Sequence, residues 1–137
     1  MSTPTIEQIY RHASVRKYKP DSVPRDLVEA VVAAGQRAST SSNLQAYSVV
    51  AVTAADKRAI LAGLCGDQES ILQAPVFLAW CADLSRLDRI CRRRGYGQVA
   101  RHVESFVVAA VDAALAMQNA AVAAESLGLG MCYIGAV

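Results

Sequence analysis

One long apolar stretch, Phe106–Ala124 (FVVAAVDAALAMQNAAVAA), decides the fold of this 137-residue chain. Its length and its many alanines predict a long helix that a neighbouring helix can approach closely. A membrane span of about 20 residues rarely tolerates a charged residue near its centre, and Asp112 lies inside this stretch. Asp112, Asn119 and Ser126 recur every seven residues, so they form one polar stripe. We therefore predict a helix buried inside a protein assembly and no membrane partner.

The overall composition also indicates a covered surface. Hydrophobic residues make up 53% of the chain and charged residues 19%, so the chain is more apolar and less charged than a typical soluble domain. A length of 137 residues suffices for one domain with a sizeable core. We predict a single domain over residues 1–137, with much of its surface covered by another subunit. The net charge of +2 is too small to indicate a nucleic-acid partner.

The cysteines and histidines indicate reduced thiols and no metal site. Cys65, Cys81, Cys91 and Cys132 form no C-x-x-C pair, and the chain's two histidines lack the spacing of metal ligands. The N-terminus shows no basic-then-apolar signal segment. These features together predict a cytoplasmic protein.

Helices and strands follow one another along the rest of the chain. Pro24 can open a helix, Thr53 and Asp56 have the spacing of a capping box, and the continuous apolar run after Pro75 is typical of a fully buried strand. The predicted helices are Thr3 to about Arg11, a second from Pro24, a third from the capping box to about Gly63–Gly66, a short one from Gln68, and Leu84–Arg94. The predicted strands are Tyr47–Thr53, Val76–Cys81 and Met131–Ile134.

The end of the chain is unusual. The last residues, Gly135, Ala136 and Val137, follow directly on an apolar strand, whereas a natural C-terminus is usually polar and frayed. The predicted strands also have too few partners for a complete sheet. We therefore expect the chain to be about the N-terminal half of a longer fold, or an unusual truncated form.

A basic segment near the start of the chain, His12–Tyr18 (HASVRKY), has the chemistry of a phosphate site. It places an imidazole, a hydroxyl and a guanidinium within five residues. An arginine fork matches phosphate oxygens bidentately, and serine hydroxyls and backbone N–H groups can bind the remaining acceptors. Taken alone, such a segment is more often an ordinary basic surface.

Several motifs in order along the chain carry a resemblance to one family. They are HASVR at 12–16, the polar loop from Ser39 to Gln45, the Gly66-Asp67-Gln68 turn, and ESLGLG at 125–130 followed by Tyr133-Ile134-Gly135. Together they resemble the oxygen-insensitive, NADPH-dependent nitroreductase and flavin reductase group of the FMN-dependent nitroreductase superfamily. The resemblance implies an α+β sandwich, with a mixed or antiparallel sheet flanked by helices and a long central dimerisation helix.

The resemblance implies that the basic segment binds the tail of FMN. His12, Ser14 and Arg16 resemble the residues that hold the phosphate and the ribityl chain. Ala13 stands where family members commonly carry arginine, so it is left with main-chain contacts.

Other residues resemble those around the flavin ring. Ser41 resembles a loop residue that reaches the flavin across the dimer. Gln68 resembles the amide that hydrogen-bonds the isoalloxazine ring. Tyr133, Ile134 and Gly135 resemble the segment packed along that ring.

The implied activity is an FMN-dependent oxidoreductase that works as a homodimer. Hydride would pass from NADPH, or less readily NADH, through the flavin to a nitroaromatic compound, a quinone or free flavin, in a ping-pong order. The chemistry resides on FMN, so no catalytic acid, base or nucleophile is needed on the protein.

Two other functions remain open. The first is a truncated, non-catalytic paralogue that dimerises through the long helix and binds flavin weakly or not at all. The second is a nucleic-acid binder, for which six arginines would be responsible: Arg86, Arg89, Arg92, Arg93, Arg94 and Arg101. Because no interleaved aromatic platform accompanies these arginines, a solvated basic face is the simpler interpretation.

Overall fold

The computed structural model describes residues 1–97 and 102–135. Within these ranges the chain forms six α-helices, a short 3₁₀ helix and two strands. The helices are α1 (Pro4–Tyr10), α2 (Arg25–Gly35), α3 (Ala55–Leu64), α4 (Glu69–Gln73), α5 (Leu84–Arg93) and α6 (Val103–Ser126). The strands are β1 (Tyr47–Val52) and β2 (Phe77–Ala82), and the 3₁₀ helix is Ser41–Asn43.

Local signals in the sequence set most of these boundaries. Thr3 caps α1, because its hydroxyl accepts the N–H of Ile6 at 3.3 Å, and Pro4 occupies the first turn. Pro24 precedes α2, as predicted. Gly128, with a φ of +79°, lies just beyond the end of α6.

The predicted capping box at the start of α3 is wrong. The helix begins one residue later than the box requires, with Ala54 at the N-cap and no side-chain cap bond. The guanidinium of Arg58 donates to the carbonyl of Thr53, which lies between β1 and α3. With Ala54 as the N-cap, Thr53 lies one residue before the cap and Asp56 only two residues after it. A capping box needs the first residue at the N-cap and the second three residues later.

Helix α6 is the centre of the fold and contacts α1, α2, α5 and both strands. Its buried face is lined largely by alanines, which lets α2 pack closely. At Gly35 on α2, an added Cβ would lie 2.6 Å from the Trp80 ring and 2.9 Å from the Ala116 carbonyl oxygen. The predicted close helix approach is confirmed, with α2 of the same chain as the neighbour.

The polar stripe of α6 is only partly exposed. Asp112 is buried, whereas Asn119 and Ser126 are exposed. By length and composition α6 could cross a membrane, a test that the core helix of a soluble protein also passes.

Strands β1 and β2 pair antiparallel, from Tyr47 opposite Ala82 to Val52 opposite Phe77, in the described part of the chain. The sheet packs against α6, and Trp80 contacts core clusters shared with α2 and α6. The prediction of a fully buried second strand is wrong, because β2 is half-buried and ends exposed. An antiparallel sheet can cover a core with one face only.

The predicted third strand at Met131–Ile134 does not form. Within residues 1–97 and 102–135, this segment makes one isolated parallel bridge, between Met131 and Ser14. Tyr133 bonds to α6 and Ile134 packs against the α3–α4 corner, so the segment leaves its neighbour before a second pair of ladder bonds can form.

Candidate functional site

Two segments far apart in sequence lie side by side at the end of α6. Ser14 bridges Met131 in parallel orientation, and the Val15 N–H donates to the Met131 carbonyl at 2.8 Å. A Cβ on Gly130 would lie 2.9 Å from Val15 Cγ1, so the lack of a side chain at 130 permits the approach. The HASVR and ESLGLG motifs are thereby brought into direct contact.

His12 forms a hydrogen bond with the last turn of α6. Its Nδ1 lies 2.7 Å from Oε1 of Glu125, whose side chain is 10% exposed, against 42% for the imidazole. An ionised carboxylate only accepts hydrogen bonds, so Nδ1 carries the proton and donates. This leaves Nε2 as the ring nitrogen available to a ligand, and the imidazole offsets the Glu125 charge when doubly protonated.

The other predicted phosphate residues are exposed donors. The Arg16 guanidinium, the Ser14 hydroxyl and the Ala13 N–H make no hydrogen bond or ion pair with any residue of 1–97 and 102–135. Their backbone is held by Tyr18, whose hydroxyl donates to the Val15 carbonyl at 2.6 Å.

The Tyr18 hydroxyl remains a donor at neutral pH. Burial raises the pKa of Tyr18, the nearby Cys132 raises it further, and Arg16 opposes the rise. Arg16 and Cys132 both influence this phenol, in keeping with the contact between the basic segment and the segment after Gly130.

Tyr133 and Ile134 connect this contact to the rest of the fold. The Tyr133 hydroxyl donates to Gln118 Oε1 on α6 at 2.9 Å, and burial, followed by the Glu125 charge, raises the pKa of Tyr133. Ile134 packs on a cluster formed by Ala62, Cys65 and Ile71. Gly135 is exposed beside it.

Gln68 lies at the same α3–α4 corner. It follows a turn in which Gly66 and Asp67 have φ values of +77° and +55°, a region that glycine and aspartate tolerate better than most residues. Gln68 Nε2 donates to the Cys65 carbonyl at 2.8 Å. Gln68 therefore bonds a residue of the cluster on which Ile134 packs, and the Gln68 carbonyl oxygen and second amide hydrogen stay available.

Ser41 lies apart from this group. Its N–H donates to Asp112 Oδ1 at 3.0 Å, whereas His12 is attached to Glu125 of the same helix. The rise of an α-helix separates these two acidic residues by about 20 Å. Within one chain Ser41 therefore does not join the other predicted residues, and its approach across a dimer stays a prediction.

A cleft of about 580 Å³ opens elsewhere, beside β1. Arg37, Tyr47 and Arg86 help to line it, and none of the predicted flavin-binding residues does. It is therefore distinct from the contact at the end of α6.

Sequence reasoning missed four supporting residues: Glu125, Gln118, Tyr18 and Asp112. Glu125 stands inside a quoted motif, and Asp112 was placed on a polar stripe, but neither pattern reveals a bonding partner. A polar residue in an apolar helix was the available signal, because buried polar groups need partners.

The donor set fits FMN, the cofactor that the resemblance implies. A free guanidinium, hydroxyl and backbone N–H suit a phosphate, which binds best to charged and main-chain donors. The Gln68 amide lies at the α3–α4 corner, on which Ile134 packs, so it can serve a different part of the ligand from the phosphate. At Gly130 the backbone closely approaches Val15.

Known proteins resemble this chain over nearly its whole length. FMN reductase (NADPH) of Bacillus subtilis is 38% identical over 135 residues, a match that covers 97% of this chain and 54% of the relative. Oxygen-insensitive NADPH nitroreductase of Salmonella typhimurium is also 38% identical and is matched over 98% of this chain and 55% of its own length. The chain thus spans about half the length of these curated relatives.

Solved structures share the fold. B. megaterium NfrA1 superposes with a TM-score of 0.95 at 40% identity, covering 98% of this chain and 55% of that one. The NADPH:FMN oxidoreductase of Vibrio harveyi, solved with NAD⁺, superposes with a TM-score of 0.89 at 38% identity and covers 96% of this chain and 56% of that one.

The expected helix-flanked α+β fold is confirmed by these superpositions, and the match to the Nitroreductase family extends over residues 9–137. The sequence motifs, the fold and the family match agree over nearly the whole chain, and the chain therefore belongs to the nitroreductase family.

Proposed function

We propose that this chain provides the flavin-binding part of an NAD(P)H-dependent oxidoreductase that uses FMN. One observation carries the proposal: the bridge between Ser14 and Met131 brings the basic segment and the Tyr133–Gly135 segment together. The exposed donors of the basic segment and the Gln68 amide suit the two ends of a flavin nucleotide.

Each residue has a role in this proposal. Arg16 and Ser14 bind the phosphate oxygens, and the Ala13 N–H adds a main-chain donor. His12 contributes Nε2, in the orientation set by Glu125. These groups bind the tail through charge-assisted hydrogen bonds, the stronger kind in proteins.

The remaining residues orient the ring. Gln68 offers an amide to its polar edge, while Tyr133, Ile134 and Gly135 lie along it. The bond from Tyr133 to Gln118 and the bond from Gln68 to the Cys65 carbonyl hold these two side chains in place before any ligand arrives. Ser41 is proposed to come from the partner copy.

When bound, FMN supplies two-electron hydride chemistry between a nicotinamide donor and an acceptor. The names of the relatives support NADPH ahead of NADH as the donor. We propose nitroaromatics, quinones or free flavin as acceptors, reacting in ping-pong order. The chain's own groups then bind and orient, without donating a proton or a nucleophile.

We further propose that the protein acts as a homodimer joined through α6. Five apolar residues of this helix are 45% to 81% exposed in the single chain: Val103, Phe106, Val107, Val111 and Leu115. An apolar surface of this kind on a helix is typical of an interaction face.

Flavin titration of the 137-residue chain tests the proposal. We expect FMN fluorescence to be quenched on binding, and Arg16→Ala to weaken binding about ten- to hundred-fold, because one charge-assisted pair is lost. Arg25→Ala is the matched control, since it removes an exposed guanidinium that pairs with Glu29 on α2. Failure of the chain to bind FMN, or equal affinities in the two variants, would contradict the proposed site.

The exposed face of α6 also favours a second candidate, a dimerising paralogue without turnover. Light scattering combined with an assay of NADPH oxidation separates the two functions. Dimers that neither bind flavin nor oxidise NADPH support the second candidate, whereas turnover excludes it.

A further inference from the structure

The polar loop between α2 and β1 has a backbone that L-amino acids seldom adopt. Ser42, Asn43 and Gln45 have φ values of +49°, +55° and +51°. This left-handed region is unfavourable for residues with a side chain, and it persists where the surroundings enforce it. The loop's own bonds, such as that from the Leu44 N–H to the Ser41 carbonyl at 2.9 Å, occur in many relaxed turns. A contact from outside the loop must therefore hold it.

That contact is the carboxylate of Asp112 on α6. Asp112 is 1% exposed, and its two oxygens bind the two ends of the loop. Oδ1 accepts the Ser41 N–H at 3.0 Å and Oδ2 accepts the Ala46 N–H at 3.1 Å. One rigid group on a long helix thereby fixes the distance between the start and the end of the loop.

A second clamp acts on the same end of the loop. The guanidinium of Arg86, on α5, donates to the carbonyls of Gln45 and Tyr47. Tyr47 lies between the two clamps: burial raises its pKa, Arg86 opposes the rise, and Asp112 adds to it. With both clamps on the backbone, the side chains of Ser41, Ser42 and Gln45 are left exposed.

We propose that Asp112 is a positioning residue that presets the Ser41–Gln45 loop, so that its exposed polar side chains form a fixed wall for the flavin of the facing subunit. The identity of the ligand rests on the proposed function. The hold of Asp112 on the loop rests on the bonds described here. A purely structural role for Asp112 would instead serve the packing of α6 and would not single out this loop.

Asp112→Asn provides the test, because it preserves shape while it replaces one acceptor with a donor. One of the two loop N–H groups then loses its partner. We expect amide hydrogen exchange at Ser41 and Ala46 to become about tenfold faster, while amides of α2 and α6 exchange as before. Asn119→Ala, on an exposed position of α6, is the matched control and should change neither.

A second experiment measures the affinity of the variant for FMN and the visible circular dichroism of the bound flavin. We expect Asp112→Asn to weaken FMN binding about tenfold and to alter the dichroism, whereas Asn119→Ala should change neither. Unchanged loop exchange, or equal acceleration throughout α2 and α6, overturns the inference.

The two proposals fail in different ways. If the unsubstituted chain binds FMN, and Asp112→Asn frees the loop without changing affinity or dichroism, the wall is refuted and the proposed function stands. If the unsubstituted chain binds no FMN, the proposed function fails and the wall with it, while the exchange data still decide whether Asp112 holds the loop.

Discussion

Replacing Gly130 with alanine should disrupt the contact on which the candidate site depends. An added Cβ would lie 2.9 Å from Val15 Cγ1 and 3.0 Å from both its Cβ and its Cγ2, where ordinary contact begins at 3.4 Å. Valine is stiff about χ1, and one of the three atoms is its own Cβ, so a change of rotamer cannot relieve the overlap. The backbone must move by about half an ångström, a shift of the size that overpacking forces.

The size of the effect follows from what that movement strains. The Val15 N–H bond to Met131, 2.8 Å long, belongs to the same backbone and loses alignment as the segments separate. Overpacking costs about 1–3 kcal/mol, and a net backbone hydrogen bond contributes about 1 kcal/mol. We expect a loss of about 2 kcal/mol in the free energy of unfolding, or about 1 M in the urea midpoint. FMN binding should weaken as well, because the donors of the basic segment move with Val15.

Urea unfolding and FMN titration of Gly130→Ala measure both effects. Gly97→Ala is the control, since a Cβ there meets nothing within 4 Å, and it corrects for the effect of the substitution on the unfolded chain. Val15→Ala removes two of the three clashing atoms, so the double variant should lose less stability than the two single variants summed. Equal midpoints for Gly130→Ala and Gly97→Ala would refute the reasoning.

Two further outcomes follow from the charged groups. Glu125→Gln removes the charge that faces His12. A double-mutant cycle with His12→Ala should give a coupling energy of at most about 1 kcal/mol, because the imidazole is partly exposed. A coupling energy of zero would show that the pair contributes nothing to stability. The pKa of Asp83 lies below its ordinary 3.8 because the Ser48 hydroxyl, and then the Arg86 N–H, bond its carboxylate. A lowered pKa gives stability that is present above the ordinary value and is lost as pH falls through the folded-state value. Unfolding should therefore become easier as pH falls below the ordinary pKa of 3.8, and less steeply so in Ser48→Ala. Parallel pH profiles for Ser48→Ala and the unsubstituted chain would contradict this.

The elements that depend on neighbouring residues were predictable from the sequence. The start of α1 depends on Thr3 and Pro4, and the extent of α6 on an apolar run that no glycine or proline interrupts. The Thr53 capping box failed because α3 begins at Ala55 with Ala54 as its N-cap, one residue after the start that the spacing indicated. The third strand failed because a strand exists only where a partner continues beside it.

The sequence predicted which types of residue form the candidate site, but not how they are arranged. The kinds of residue it needs could be named from the HASVR motif and from the resemblance, because charge, hydroxyl and amide chemistry belong to single residues. Their arrangement could not be named, and nor could Glu125 and Asp112 as the partners of His12 and Ser41.

The sequence by itself determined the helix-rich architecture, the membership of a family and the chemical character of the phosphate segment. Tertiary structure alone decided that the basic segment docks beside Met131, that Gln68 bonds a residue of the cluster on which Ile134 packs, and that Ser41 bonds Asp112 near the middle of α6, away from Glu125 at its end. Periodicity and capping act over a few residues, whereas these contacts join residues far apart in the chain, so their geometry is fixed only when the whole core has packed.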